Sequence, residues 1–388
     1  MRLAFFSLPD RFRPMRVTGF GTVRAARLLL GLTCLLAACA EVPQAPQKPT
    51  PEAQLVFPLP PEAPRFYYER TLYSSLDVVP EDSNARLRQL LTGESRRSGE
   101  GLGKPYAVAV HHGRVMVSDS LQRCVEVFDF PGRRFYRIGE EGEGQLLKPA
   151  GLDVDRQGTL YVADATAKAI KVYDADGNFL RQIGSPKWFD RLVSVTVDPE
   201  GDRIYAVDLG GVTSNEHRIR VFDPVTGAHL FDFGKRGSGP GEFNFPYDVA
   251  VGKDGRLYVV DAGNFRVQIF DHDGKYLKSF GQLGTQLGNL ARPKEIATDA
   301  EGNVYVVDAA FGNFQIFNSE GQLLLFIGQH TEKDRPAGYM LPSGIYVDED
   351  GRVYVVDQWY SKVDVFRPAR LKAEDGWLAG KAPAAAKK

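Results

Sequence analysis

Two carboxylates, Asp248 and Glu295, occupy equivalent places in a repeating sequence, with Lys294 and Arg292 beside them. Acidic side chains gathered at one level of a pore can hold a cation or a polar ligand, and the same four residues also suit a solvated channel mouth neutralised by its own bases. A second set joins aromatic rings to cations on three loops: Phe265, Arg266, Phe311, Trp359, Tyr360 and Lys362. Such residues are enriched where proteins meet, although packing of one loop on its neighbour is the other reading. Motifs for covalent haem, zinc proteolysis, serine hydrolysis or nucleotide phosphates are missing, so no cofactor is implied. The six histidines, at 111, 112, 217, 229, 272 and 330, fall on turns and loops without metal-ligand spacing.

The elements that position these residues follow from one recurrence. Six apolar runs end in aspartate, at Asp119, Asp164, Asp208, Asp261, Asp308 and Asp357, with intervals of 45, 44, 53, 47 and 49 residues. That interval accommodates one four-stranded sheet and is too short for an independent domain, so each unit needs neighbours to bury its faces. Nine residues beyond the Asp, five units place an aromatic at the end of a second alternating run; the third unit, Asp208 to Phe222, takes fourteen. Asp-Gly and Glu-Gly pairs mark tight hairpins, where glycine supplies the positive φ. Each unit is therefore an antiparallel meander of strands A to D. Proline opens strand A in five units (Pro105, Pro149, Pro246, Pro293 and Pro342), where a missing N–H costs least.

The connection G-K-R-G-S-G-P-G-E-F-N-F-P before residue 247, followed by L-Y-V-V-D and the loop with Asn264 and Arg266, resembles the NHL repeat over about residues 99 to 368. The resemblance implies an all-β, six-bladed β-propeller of four-stranded antiparallel blades. Some NHL propellers bind RNA on a basic face, and related propellers include lyases and lactonases that use a divalent cation. The glycines at 234, 237, 239 and 241 connect strand D to strand A and have no strand–turn–helix context for binding phosphate.

The sixth unit stops after three strands, at Pro368. An unassigned strand-like run, Phe66 to Tyr73, precedes the first unit and is expected to supply strand D of the last blade, which removes both free edges. A short helix is expected near 81–93, capped by Ser83 or Asn84. Along strand A, Val108, Leu152, Val195, Val249, Ile296 and Ile345 form one apolar set. Ala107, Gly151, Ser194, Asp248, Glu295 and Gly344 alternate with them, and period two places this second set nearer the channel.

Residues 1–38 combine arginines, a short apolar run and Leu36-Ala37-Ala38 before Cys39. That is a secretory signal, too short to span a bilayer, starting from Met1 or from Met15. Leu-Ala-Ala-Cys resembles the bacterial lipobox, which implies a lipidated Cys39, and Ala40 after it favours the outer membrane. Residues 39–64 are proline-rich and make a semi-rigid tether. The propeller is expected over 65–369 and an Ala/Lys-rich tail over 370–388. Loss of residues 1–38, with six Arg and one Asp, takes the formal charge from −1 to −6. A negative, exported chain does not suit nucleic acid. Cys124 alone then remains as a free thiol, expected to be buried and inert. The sequence thus points to a membrane-anchored propeller at the cell envelope, facing the periplasm, that binds an unidentified envelope protein. The alternative is a channel-site enzyme acting through Asp248, Glu295 and a divalent cation. The five extra residues within Leu209 to His217 are not required by the fold and are expected to serve binding.

Overall fold

A computed structural model describes residues 54–79 and 99–380. The expected signal segment, Cys39, the expected tether as far as residue 53, the helix expected near 81–93 and residues 381–388 lie outside the described residues. No described helix is long and apolar enough to cross a membrane.

Strands A to D run Pro105–His111, Arg114–Asp119, Cys124–Asp129 and Arg134–Ile138 in blade one. In blade two they are Pro149–Val154, Leu160–Asp164, Ala169–Tyr173 and Phe179–Ile183. Blade three has Leu192–Val197, Ile204–Asp208, Arg218–Phe222 and His229–Phe233. Blade four has Pro246–Val251, Leu257–Asp261, Arg266–Phe270 and Tyr276–Phe280. In blade five they are Pro293–Thr298, Val304–Asp308, Asn313–Phe317 and Leu323–Ile327. Strand B is buried throughout in blades two to six, because a blade is covered on both sides, and its Val, Ile and Tyr residues suit a pleated, packed surface. Strand D lies outermost, and in blades two, three and five its residues alternate between half-buried and exposed.

Blade six takes Pro342–Val347, Val353–Asp357 and Lys362–Pro368 from the end of the chain and Phe66–Leu72 from its beginning. The N-terminal strand pairs antiparallel with Lys362–Pro368, as the missing fourth strand required. Two boundaries differ from expectation. Val56–Phe57 adds a fifth strand outside Phe66–Leu72, and Leu55 and Phe57 pack on the core, so the ring begins before residue 65. At the other end, Leu378 is buried between blades six and one, and the fully buried Arg352 donates to the Asp375 carbonyl at 2.8 Å. Part of the expected tail therefore belongs to the ring. Apolar side chains outweighed the proline and alanine content in both places.

The core is six clusters, one for each interface between neighbouring blades, including the interface of six with one. Each fully buried Val, Leu, Ile or Phe stabilises by roughly 1.5–3 kcal/mol, which accounts for a ring that needs no disulfide. Cys124 is buried, and burial pushes its thiol up to about 12, where it stays protonated and unreactive.

The strand-B aspartates hold loops together. Asp119 accepts N–H bonds from Leu121 and Gln122 of its B–C loop at 2.9 and 2.8 Å, and from Gly103 and Lys104 of the preceding connection at 2.7 and 2.8 Å. Asp357 does the same with Trp359, Tyr360, Met340 and Leu341. The bond to the D–A connection extends the expected role: one carboxylate fixes two loops at once.

Candidate functional site

The alternation of the chain between strands gives the ring two faces, one carrying the B–C loops and D–A connections, the other the A–B and C–D turns. The six loop residues singled out in the sequence lie on the first face, but the structure separates them by role. Arg266 is a brace: its guanidinium donates to Asp261 at 2.9 Å and to the carbonyls of Gly239 and Glu242 at 2.8 and 3.0 Å, tying down the glycine-rich connection. Lys362 is fully buried, donating to the Arg335 carbonyl at 2.7 Å and pairing with Asp334 and Asp364 at 3.0 and 3.3 Å. Neither cation is offered to a partner. Both sit where strand C starts, opposite the strand-B Asp, and that register draws them inward.

Phe265 and Phe311 are half-buried, and the Phe311 carbonyl accepts the His330 N–H at 3.2 Å. Tyr360 donates its hydroxyl to the Thr331 carbonyl at 2.8 Å, so packing of loop on loop describes these three. Trp359 differs, at 64% exposed. It has company that the sequence reading missed: Leu121 at 67% and Val212 at 72% in other B–C loops, and exposed Leu147, Leu283 and Leu287 in D–A connections. Among the described residues, the opposite side exposes two large apolar side chains, Val225 in a tight turn and Leu59 in the loop between the fifth and fourth strands of blade six. A search for apolar residues in turn-rich loops, rather than for aromatics beside cations, would have found this set.

The longer loop of blade three is partly structural. Leu209 and His217 are buried. His217 Nδ1 accepts the Phe245 N–H at 3.0 Å, and its Nε2, 3.2 Å from the Gly211 carbonyl, carries the proton. Val212 projects from the middle of the loop.

The central channel holds a cavity of about 340 Å³ that reaches Asp155, Asp299 and Asp348, hence the A–B turns. Val108, Leu152, Val195, Val249, Ile296 and Ile345 line it. Gly151, Ser194, Asp248 and Glu295 of the alternate set border it too, and the set also reaches into the neighbouring blades. Asp248 accepts the Ser194 hydroxyl at 2.6 Å and the Ile296 N–H of blade five at 3.0 Å, while Glu295 accepts the Ile345 N–H of blade six at 3.3 Å. A Cβ on Gly151 would strike Ser194, and one on Gly344 would strike Tyr106 and Ala107. Strand A is the inner edge of its sheet, and these carboxylates bond N–H groups that no strand pairs. Asp153 does so too, through Thr196 and the Val197 N–H, at 2.5 and 3.0 Å.

Burial raises the carboxyls despite these bonds, Asp153 to about 6 and Asp248 to about 7, and drives Glu295 well above its ordinary range with help from the charge of Asp248. Both acids are nearly buried where they border the cavity, rather than standing in a solvated mouth. Lys294 stacks over the Tyr247 ring at 4.1 Å and makes no ion pair with either acid. Nor do the residues fit a divalent cation: Glu295 Oε1 is the one unpartnered oxygen of the pair, and a hard cation takes several charged oxygens.

Closed and four-stranded throughout its repeats, the molecule is a six-bladed β-propeller. The NHL repeat family matches residues 243–270, within the fourth blade and the connection that leads to it, and a family described as a 6-bladed beta-propeller matches residues 98–196. The human NHL repeat-containing protein 3 is 33% identical over 113 residues, 27% of this chain and 31% of its own length. The Drosophila melanogaster Protein brain tumor is 31% identical over 146 residues, 36% of this chain and 13% of its own. The chain thus spans less than a third of these relatives. A Bacteroides thetaiotaomicron protein of unknown function superposes with a TM-score of 0.56 at 17% identity, covering 77% of this chain and 75% of that one. A Xanthomonas campestris gluconolactonase gives 0.52 at 17% identity, with 78% and 98% covered. Likeness at this level shows the fold alone.

Proposed function

We propose that this chain is a binding module: a propeller held at the cell envelope by a lipidated Cys39, presenting its B–C and D–A face to an envelope protein. The observation that carries the reading is the concentration of exposed Leu121, Val212 and Trp359, with Leu147, Leu283 and Leu287, on that face. Scattered exposed apolar residues are ordinary, whereas a face of loops fixed by buried aspartates and tipped with large apolar groups is built for contact. The anchor rests on the sequence Leu36-Ala37-Ala38-Cys39. A lyase or lactonase in the channel is the weaker reading, because the acids it needs are occupied by the backbone of the next blade.

Cross-linking in native membranes, followed by identification of captured proteins, tests the face. Replacing Leu121, Val212 and Trp359 together with serine should abolish a specific capture and leave the melting curve in place. Unchanged capture, combined with loss on altering the turns around Val225, would put the contact on the other side. Cys39→Ala should move the chain out of the membrane fraction and end palmitate labelling; equal partitioning of the two forms rejects the anchor.

A further inference from the structure

We propose that His111, His112 and Glu349 form a binding site for one divalent cation of the zinc class, at the seam where the first blade meets the last. His111 ends strand A of blade one, His112 follows it in the A–B turn, and Glu349 sits in the A–B turn of blade six, 237 residues from His112. Spacing in the sequence hides the group, because only closure of the ring makes the two turns neighbours. One donor atom from each residue lies within 4.8 Å of the others. His111 Nδ1 is 3.5 Å from Glu349 Oε1. Ligand atoms bound at about 2 Å to a tetrahedral ion lie roughly 3.3 Å apart, so this pair is already spaced for one, and the exposed His112 and Glu349 side chains can rotate to complete it.

The imidazoles are held in place by stacking. Their rings stand 4.0 Å apart, tilted by 32°, and Trp377 stacks on His112 at 4.1 Å and 24°. Glu349 Oε1 already draws the pair together, accepting the His112 backbone N–H at 3.3 Å while facing His111 Nδ1. His112 adopts φ 48°, a left-handed turn conformation that carries its side chain back over His111.

The charged neighbours are engaged elsewhere. Asp350 accepts from Arg352 at 2.9 Å and from the Trp377 N–H at 2.7 Å, the Asp348 carboxylate caps its own turn and bonds the Tyr354 hydroxyl, and Arg114 donates to the Ala175 carbonyl. Two nitrogens and one carboxylate favour zinc, nickel or copper over magnesium or calcium. Three protein ligands leave a position for water, and His111 and Glu349 border the channel cavity. An ion here would clamp blade one, blade six and the C-terminal segment around Trp377 together.

The test uses the full chain without an affinity histidine tag, titrated with zinc chloride in a calorimeter and melted with and without the metal. The expected result is one zinc per chain and a melting temperature that rises and saturates. His112→Asn, which tolerates the left-handed turn, and Glu349→Gln, which keeps the side chain's shape, should each weaken zinc by at least about tenfold while still melting in one cooperative transition without metal. His272→Asn, on an exposed turn of blade four, should bind as the parent does, and magnesium should not substitute. Absence of saturable zinc binding, equal binding by the two seam variants, or loss through His272→Asn would each overturn the site.

Discussion

On the B–C and D–A face, buried aspartates at the ends of strand B collect N–H groups from two loops of their own chain neighbourhood, whereas nearer the A–B turns the acids of strand A reach across to the next blade. Asp119 has four N–H donors at 2.7–2.9 Å. Glu295 has one, at 3.3 Å, and an orphaned second oxygen. The residue type is similar, and the difference lies in how many donors replace lost water. On one face the acids make loops rigid enough to display apolar tips. On the inner wall they seal the seams between blades and are pushed toward the neutral form.

The largest effect comes from opening the ring, which would destroy both faces together. Removing the chain through Phe57 should lower the melting temperature modestly, through loss of the small fifth strand. Removing it through Tyr73 should expose Lys362–Pro368 as an edge and give aggregation or a lost cooperative transition in light scattering and melting. Equal behaviour of the two truncations would refute the closing strand.

Next in size is the loop-fixing role. Asp308 accepts N–H bonds from Ala291, Arg292, Ala310 and Phe311. Asp308→Ala should cost at least about 3 kcal/mol in denaturant unfolding, because several buried donors lose their acceptor. Val225→Ser, on the opposite face, should stay within about 0.5 kcal/mol.

The inner acids predict an unusual pH dependence. Asp248 folds with its carboxyl raised to about 7, so between roughly pH 4 and 7 the native state binds more protons than the unfolded chain. Its contribution is then fully present below pH 4 and is lost as pH rises through 7. Glu295, raised further, extends the loss upward. Asp248→Asn with Glu295→Gln should flatten stability between pH 5 and 8 and gain on the order of 2 kcal/mol at the upper end relative to the parent. A parent whose stability climbs over that range for want of any such term would contradict the assignment.

The smallest effect on folding should come from Trp359→Ala, within about 0.5 kcal/mol, although a hot-spot aromatic typically costs about 2 kcal/mol in binding. A melting shift as large as that of Asp308→Ala would make Trp359 a structural residue and remove it from the contact face.

Much of the ring was legible because its signals are local. The run of apolar residues into each Asp, the nine-residue spacing and the Asp-Gly pairs specify hairpins whatever surrounds them, and a three-stranded last unit demands a fourth strand. Val56–Phe57 was hidden by its prolines. Lys362 and Arg266 have the composition of surface residues, and only the register of strand C against the Asp shows that they turn inward. Asp248 and Glu295 stand out in the sequence by type, but their partners, the Ile296 and Ile345 N–H groups, lie 48 and 50 residues away and come into reach only once blades pack. Alternation along one strand says which side a residue takes, not what the neighbouring blade will put there.

The pairing of Phe66–Leu72 with Lys362–Pro368 also sets an order of events. Thr71 meets Asp364 across 293 residues of chain, so a strand synthesised before the first complete blade must wait for the last one to find its place. Until the final blade exists that strand has no sheet to join, and ring closure waits for a contact of very long range, a slow step by the usual dependence of folding rate on contact separation. During that interval the incomplete ring carries two unsatisfied edges, and a chaperone acting on it would be needed for timing rather than for any defect in the finished protein.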